Sequence, residues 1–406
     1  MYKRLLTLLL SSIMLYLTNV IYLPASYVYA LAAVPSSTAA SMSPQAVVKM
    51  QQDTLDLEEL EKFIKEVDGD VKSYIPEISL AEMIERFKNG KLQFSPQDIL
   101  NGIIKYFFME ITANLTVLGK LLIIAVICVM LEHLQSGFEK ANVAKTAHFI
   151  CLLALISIAL GSFHMTVSCG LMAINRMVTF MKMLLPVMLV LLTAMGGLTS
   201  AALLQPVLMV FLSFMGVFTQ GVIFPLIYLT AVIAIANNIS DRFKVSRLAA
   251  LFKQLTKGGI GLVLTLFIGV ISVEGVVGAV VDGITLRTAK FMTGAFIPVA
   301  GGMFADALDA VIGGSLLLKN AIGLTGVIVL GIITIFPVIK ILAIAIIYRL
   351  AAALLQPLGD TLIADTLEDM SGAIFLAFAA VCAVAIMFFL TITIIVGAAN
   401  FTVMIR

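Results

Sequence analysis

ISVEGVVGAVVDGITLRTAKFMTGAFIPVAGGMFADALDAVIGGSLLLKN, residues 271–320, is the stretch from which the architecture is read. Long apolar runs lie on both sides of it. Set into it are Glu274, Asp282, Arg287, Lys290, Asp306, Asp309 and Lys319, together with Pro298, Gly301-Gly302 and Gly313-Gly314. A charge at the centre of a bilayer costs about 2.5–3.5 kcal/mol on insertion scales. Backbone that is not helical at that depth must face protein or a water-filled space. Function is therefore expected in this stretch.

The rest of the chain fits a membrane setting. Of 406 residues, 61% are hydrophobic and 12% charged, and the mean hydropathy is +1.09. A soluble domain carries about 25% charge, so a soluble multidomain protein is excluded. The apolar residues come in continuous runs rather than in the alternating segments of about 10 residues that build an outer-membrane barrel. The fold class expected is all-α and polytopic. The net charge of +2 gives no bulk attraction to nucleic acid. Cys128, Cys151, Cys169 and Cys382 lie in or at the ends of apolar runs without a CxxC pair, and read as packing residues.

Residues 1–33 read as a signal peptide: Lys3 and Arg4, an apolar run from Leu5 to about Leu23, then small residues with cleavage expected after Ala30 or Ala33. An uncleaved anchor is the alternative. Residues 34–114 form the exported region, more acidic than the rest. Between Ala46 and Val67, apolar residues at Leu60, Phe63, Ile64 and Val67 keep helical spacing among charges, which predicts a helix with one sticky face. Ser79 with Glu82 fits a capping box for a short second helix. Ser95-Pro96 opens a third, whose broad apolar face (Ile99, Ile103, Phe107, Ile111) suits a membrane surface or packing on the first spanning helix.

Residues 115–171 hold two predicted spans, about 115–131 and 147–171. His148 and His164 are sixteen residues apart on the second, about 24 Å, so they cannot share a metal. A polar break at Asn175, Arg176 and Lys182 follows. Residues 183–238 are apolar but interrupted by Pro186, Gly196-Gly197, Pro206 and Pro225, which allows two or three crossings, or one crossing with a re-entrant hairpin. The loop 239–257 is basic and the loop 356–370 acidic, which assigns them to the cytoplasmic and exported sides respectively. Seven or eight spans are expected in the mature chain.

Two units of about 110 residues look alike, 172–285 and 286–406. LLPV at 184–187 pairs with FIPV at 296–299, GGLTSAAL with GGMFADAL, and VIFPLIYLTAVIAI with TIFPVIKILAIAII. The opposite charge of the equivalent loops points to an inverted repeat; chance recurrence of FP and GG is the alternative. Helix breaks are expected at Pro186, Gly196, Gly197, Pro298, Gly301 and Gly302. The buried charges Glu274, Asp282, Asp306, Asp309, Lys319, Lys340 and Arg349 are candidates to line a conduit. Asp306 and Asp309 share a helical face and could hold a cation or proton, or pair with Lys319, Lys340 or Arg349. No catalytic, cofactor or metal residues are expected: HExxH, GxSxG and a nucleotide-binding loop do not occur.

The segments AIANNISDRFKVSRLAALFKQ, GVISVEG, DGITLRTAKFMTGAFIPVAGGMFADALDAVIGGSLLLKNAIGL, AAALLQPLGD and FFLTITIIVGAANFTVMIR resemble the stage III sporulation protein AE family of endospore-forming bacteria, over residues 100 to 406. The resemblance implies a non-enzymatic membrane subunit of a channel between mother cell and forespore, in the outer forespore membrane with its N-terminal region in the intermembrane space. It implies an export-gate or permease-like role, or alternatively a scaffold that recruits the other channel proteins. The partners it implies are ring-forming subunits and a separate ATPase. Membrane lipid is expected around the chain, nucleic acid is not, and a homo-oligomer is compatible with this reading.

Overall fold

The computed structural model describes residues 58–71, 96–137, 141–239, 245–296, 300–358 and 361–404. The signal peptide, the helix expected after Ser79 and Pro298 itself lie outside these residues. Every described element is helical: α1 (Glu58–Val71), α2 (Pro96–Gly137), α3 (Ala141–Ala194), α4 (Leu198–Phe218), a π-helical segment (Thr219–Ile223), α5 (Phe224–Ile239), α6 (Ser246–Phe296), α7 (Ala300–Leu355), a 3-10 turn (Gln356–Leu358) and α8 (Thr361–Met404). Six of the continuous helical segments are long and apolar enough to cross a membrane, with α4 and α5 counted as one through the π segment.

Seven or eight spans are expected from the sequence; among the described residues several of the expected interruptions are continuous helix. Pro186 lies inside α3, Pro206 inside α4 and Pro337 inside α7. Asn175, Arg176 and Lys182 also lie within α3. The physical reason is the solvent. An internal proline forfeits one hydrogen bond and costs about 3 kcal/mol. Opening the helix in lipid would strand several backbone groups at several kcal/mol each. Pro225 is absorbed differently: the turn before it widens to π, as is common where the i→i−4 ladder loses a donor. The predicted surface helix at 96–111 and the first span are likewise one helix, α2, with Pro96 in its first position. Gly301 and Gly302 fall in the first turn of α7, next to residues 297–299, which lie outside the described residues.

Among the described residues, Gly196-Gly197 is an expected break at which the helix does end. The chain leaves α3 through a Schellman turn. The Gly197 N–H donates to the Leu192 carbonyl at 3.0 Å and the Gly196 N–H to the Thr193 carbonyl at 2.9 Å. Gly196 sits at φ 88°, the left-handed region where a side chain costs about 1–2 kcal/mol. A Cβ on Gly197 would lie 2.7 Å from Leu192 Cδ1.

The loops expected on opposite sides share one end of the bundle. Asn238 Nδ2 donates to Asp369 Oδ2 at 3.2 Å and to Thr366 Oγ1 at 3.4 Å. Lys253 Nζ lies 3.2 Å from where a Cβ on Gly372 would stand. The inverted arrangement is thereby corrected. Helices α6 and α7 lie between the two loops, and two crossings return the chain to the side it left.

Two outcomes are expected. Gly196→Ala lowers the thermal stability of the purified protein by about 1–2 kcal/mol, whereas Gly216→Ala, whose Cβ meets nothing within 4 Å, does not; equal melting shifts would refute the turn. Cysteines introduced at the exposed positions Arg247 and Glu368 label from the same side of sealed vesicles; labelling from opposite sides would restore the inverted arrangement.

Candidate functional site

The charged residues singled out by sequence separate into two dry contacts and two cavities. The first contact starts at the turn just described. Gly197 is the N-cap of α4 and has no side chain to offer its first turn. Asp282, on α6 and 99% buried, supplies the cap instead. Its carboxylate accepts from the Thr199 N–H at 2.7 Å and the Ser200 N–H at 2.8 Å. Those are the N2 and N3 donors that an N-cap side chain ordinarily satisfies, and the positive end of the helix dipole favours an acceptor there. Gly278, one turn before Asp282, makes room: a Cβ on it would stand 2.7 Å from the Ser200 Cα.

The second contact is made by Lys319 on α7, fully buried. Its amino group donates to the carbonyls of Ile395 at 2.5 Å and Val396 at 3.1 Å on α8. Again a glycine lies one turn away, since a Cβ on Gly323 would meet Val396 at 2.5 Å. Asp306 and Asp309 are on α7, and their side chains lie outside the described residues. Glu274 is half-buried, beside Gly275, which abuts Ile394 of α8.

Lys340 and Arg349 are exposed on α7 and line separate cavities. The cavity at Arg349 has a volume of 360 Å³ and is walled by Asn238, Lys253, Asp365, Glu368 and Asp369. It lies at the end of the bundle where α5 meets α6 and α7 meets α8. The cavity at Lys340 is larger, 480 Å³, and opens between α2, α3 and α7, with Val67 of α1 at its edge. Its polar lining is Tyr106, Glu110, Cys169, Arg176 and Lys340. The Tyr106 hydroxyl donates to Glu110 Oε1 at 2.8 Å, and Asn114 Nδ2 to Glu110 Oε2 at 3.2 Å. Pro337 also lines it and leaves the carbonyl of Ile333, another lining residue, without its usual helical donor.

The levels of these groups follow from helix geometry. Lys319 and Arg349 are thirty residues apart on α7, about 45 Å, and Lys253 and Asp282 twenty-nine apart on α6, about 44 Å. Two polar layers are therefore joined by two helices, at a spacing close to the ~40–45 Å of a whole bilayer with its interfaces. Asp282 and Lys319 belong to one layer and Lys253, Arg349 and Asp369 to the other. Glu274 stands at the level of Lys319, since its neighbour Gly275 abuts Ile394 and Lys319 reaches Ile395, and Lys340 falls between the layers.

Glu110 and Arg176 are cavity residues that sequence reasoning did not select. The sequence places Arg176 in a polar break and Glu110 in the predicted surface helix. Their signal was present, a charge in a run that is apolar on both sides. Among the described residues no group of three His, Cys, Asp or Glu side chains is placed to hold a metal, and the four cysteines form no disulfide. His164 Nδ1 is hydrogen-bonded to the Tyr228 hydroxyl at 2.9 Å.

The two dry contacts differ in what their loss exposes. Removing Asp282 leaves two buried N–H donors without a partner, at about 1–3 kcal/mol each. The carbonyls that Lys319 reaches lie inside α8 and keep their own helical donors. Asp282→Ala is expected to lower thermal stability in detergent by about 3 kcal/mol, with Asp282→Asn intermediate. Lys319→Met is expected to be neutral or stabilising. The assignment fails if the Lys319 variant is the less stable of the two.

The family model for stage III sporulation protein AE matches residues 78–399 of this chain. Stage III sporulation protein AE of Bacillus subtilis (strain 168) is 41% identical over 353 residues, which cover 87% of this chain and 88% of that protein. No solved structure matches. With most of its length matched by the family model and by this relative, and with helices suited to crossing a membrane throughout, the chain belongs to the stage III sporulation protein AE family.

Proposed function

We propose that this integral membrane protein is a non-enzymatic subunit of the channel that joins mother cell and forespore in sporulating bacteria, and that it acts there as an export gate or permease-like component. It would sit in the outer forespore membrane, with its N-terminal region in the intermembrane space. Its partners would be other stage III channel proteins, ring-forming subunits and a separate ATPase among them. The observation that carries this reading is the 480 Å³ cavity between α2, α3 and α7. Ionisable groups between two polar layers are costly unless they reach water or a partner, and Glu110, Arg176 and Lys340 converge on one open space rather than on separate dry pockets.

The role of the candidate residues narrows accordingly. Asp282 and Lys319 act as struts, because each is hydrogen-bonded to two backbone groups of another helix. Lys340 and Arg349 face space and are the conduit candidates. Those same struts favour a second reading, a scaffold whose charges serve packing while its surface recruits the other channel proteins.

Lys340→Gln separates the two readings. In a sporulating strain carrying this variant as its only copy, the conduit reading expects an unchanged amount of protein in the membrane and at least a tenfold fall in heat-resistant spores. Wild-type spore counts at normal protein level would reject the conduit and leave the scaffold.

A further inference from the structure

At one depth the bundle shows two different faces. Packing fixes the register of α3 on α7, since a Cβ on Gly326 would meet Leu184 and one on Gly170 would meet Ile341. The two helices are therefore antiparallel, and Thr179 stands opposite Ile332, ~20 Å from Lys319 and ~26 Å from Arg349 along α7. Around that level, between Ala173 and Gly197, the exposed residues of α3 are Arg176, Thr179, Lys182 and Pro186. Their spacing of three or four places them on one stripe. The stripe starts at Arg176, in the cavity that also holds Glu110 and Lys340. Beside it, Phe63 of α1 stacks on Phe180, with ring centroids 5.8 Å apart. Leu60, Ile64 and Val67 bury the inner side of α1, and Glu59, Lys65 and Glu66 are exposed on its outer side. Helix α6 is the opposite case. Gly275 abuts Ile394, and the next residue, Ile395, accepts from Lys319. Leu266 thus lies ~14 Å from the Lys319 level and ~20 Å from Lys253 along α6. The large side chains exposed there are Leu262, Leu266, Ile268 and Val270.

Lipid suits the α6 face and not the other. A charge at membrane depth is kept only where it meets protein or water, and here several charges share one exposed side. A polar layer ~20 Å away along the helix is beyond the reach of a snorkelling lysine. We propose that the face formed by Arg176, Thr179, Lys182 and the outer side of α1 borders water at mid-bilayer depth, continuous with the cavity of Lys340, whereas the α6 face borders lipid. A passage served by this chain then runs along the outside of the bundle. The interior is closed at the same helices: Met188 and Val396 fill the space at Gly323, and Leu184 that at Gly326. That the water belongs to a passage rests on the conduit reading; that the face is wet does not.

Single cysteine substitutions in the full-length protein test this at three exposed positions, Thr179, Lys65 and Leu266. Unsealed membranes from sporulating cells are treated with a charged methanethiosulfonate reagent, which does not enter hydrocarbon. Modification at each position is followed by peptide mass spectrometry. Thr179→Cys and Lys65→Cys are expected to react at least tenfold faster than Leu266→Cys at equal protein level. A rate at either position as slow as at Leu266 overturns the wet face. Equally fast reaction at Leu266 overturns it too, because that depth would then not lie in lipid. If both positions react but Lys340→Gln leaves sporulation intact, the wet face stands and the conduit reading falls. If both are as slow as Leu266 while Lys340→Gln cripples sporulation, the reverse holds.

Discussion

The Asp282 carboxylate on the first turn of α4 is the contact on which the arrangement of the bundle turns. Helix α4 starts behind a two-glycine turn and has no cap of its own. In water its free N–H groups would be solvated. Between apolar helices they need an acceptor, and only another helix can bring one. The acceptor fixes α4 against α6 in both height and rotation, since two adjacent donors meet two oxygens of one carboxylate. Gly278 lets the backbones close to that distance. The acidic residue that looked most expensive within an apolar run is thus compensated by the positive end of a helix dipole.

The same logic is repeated with opposite sign on α7, where Lys319 meets carbonyls of α8 beside Gly323. In each case a polar side chain and a glycine one turn away define a close crossing, because a small residue permits the approach that brings the polar group within range of backbone. Helix pairs in lipid have little hydrophobic drive to associate, so such polar and small-residue contacts carry specificity that apolar burial cannot supply. The other polar layer, around Asn238, Lys253 and Asp369, holds the opposite ends of the same helices. Between the layers, polar groups gather at one place, the cavity lined by Glu110, Arg176 and Lys340.

Local patterns were legible in the sequence by itself. The apolar runs specify membrane-type helices, because in lipid a segment must satisfy its own backbone. The stripe Leu60, Phe63, Ile64 and Val67 specifies the buried face of α1, because helical spacing aligns those positions. Gly196-Gly197 specifies a turn, because few other residues tolerate the left-handed conformation that a Schellman motif needs. Tertiary structure alone decided the rest. Whether Pro186 and Pro337 interrupt their helices depends on the surrounding solvent, not on the proline. Loop charge points to opposite sides, while the hydrogen bond from Asn238 to Asp369 sets the two loops at one end of the bundle. Above all, Asp282 and Lys340 look alike in sequence, each a charge in an apolar run. One became a cap and the other faces a cavity, because the group opposite a side chain is set by residues such as Thr199, eighty-three positions away, and no local pattern encodes that meeting.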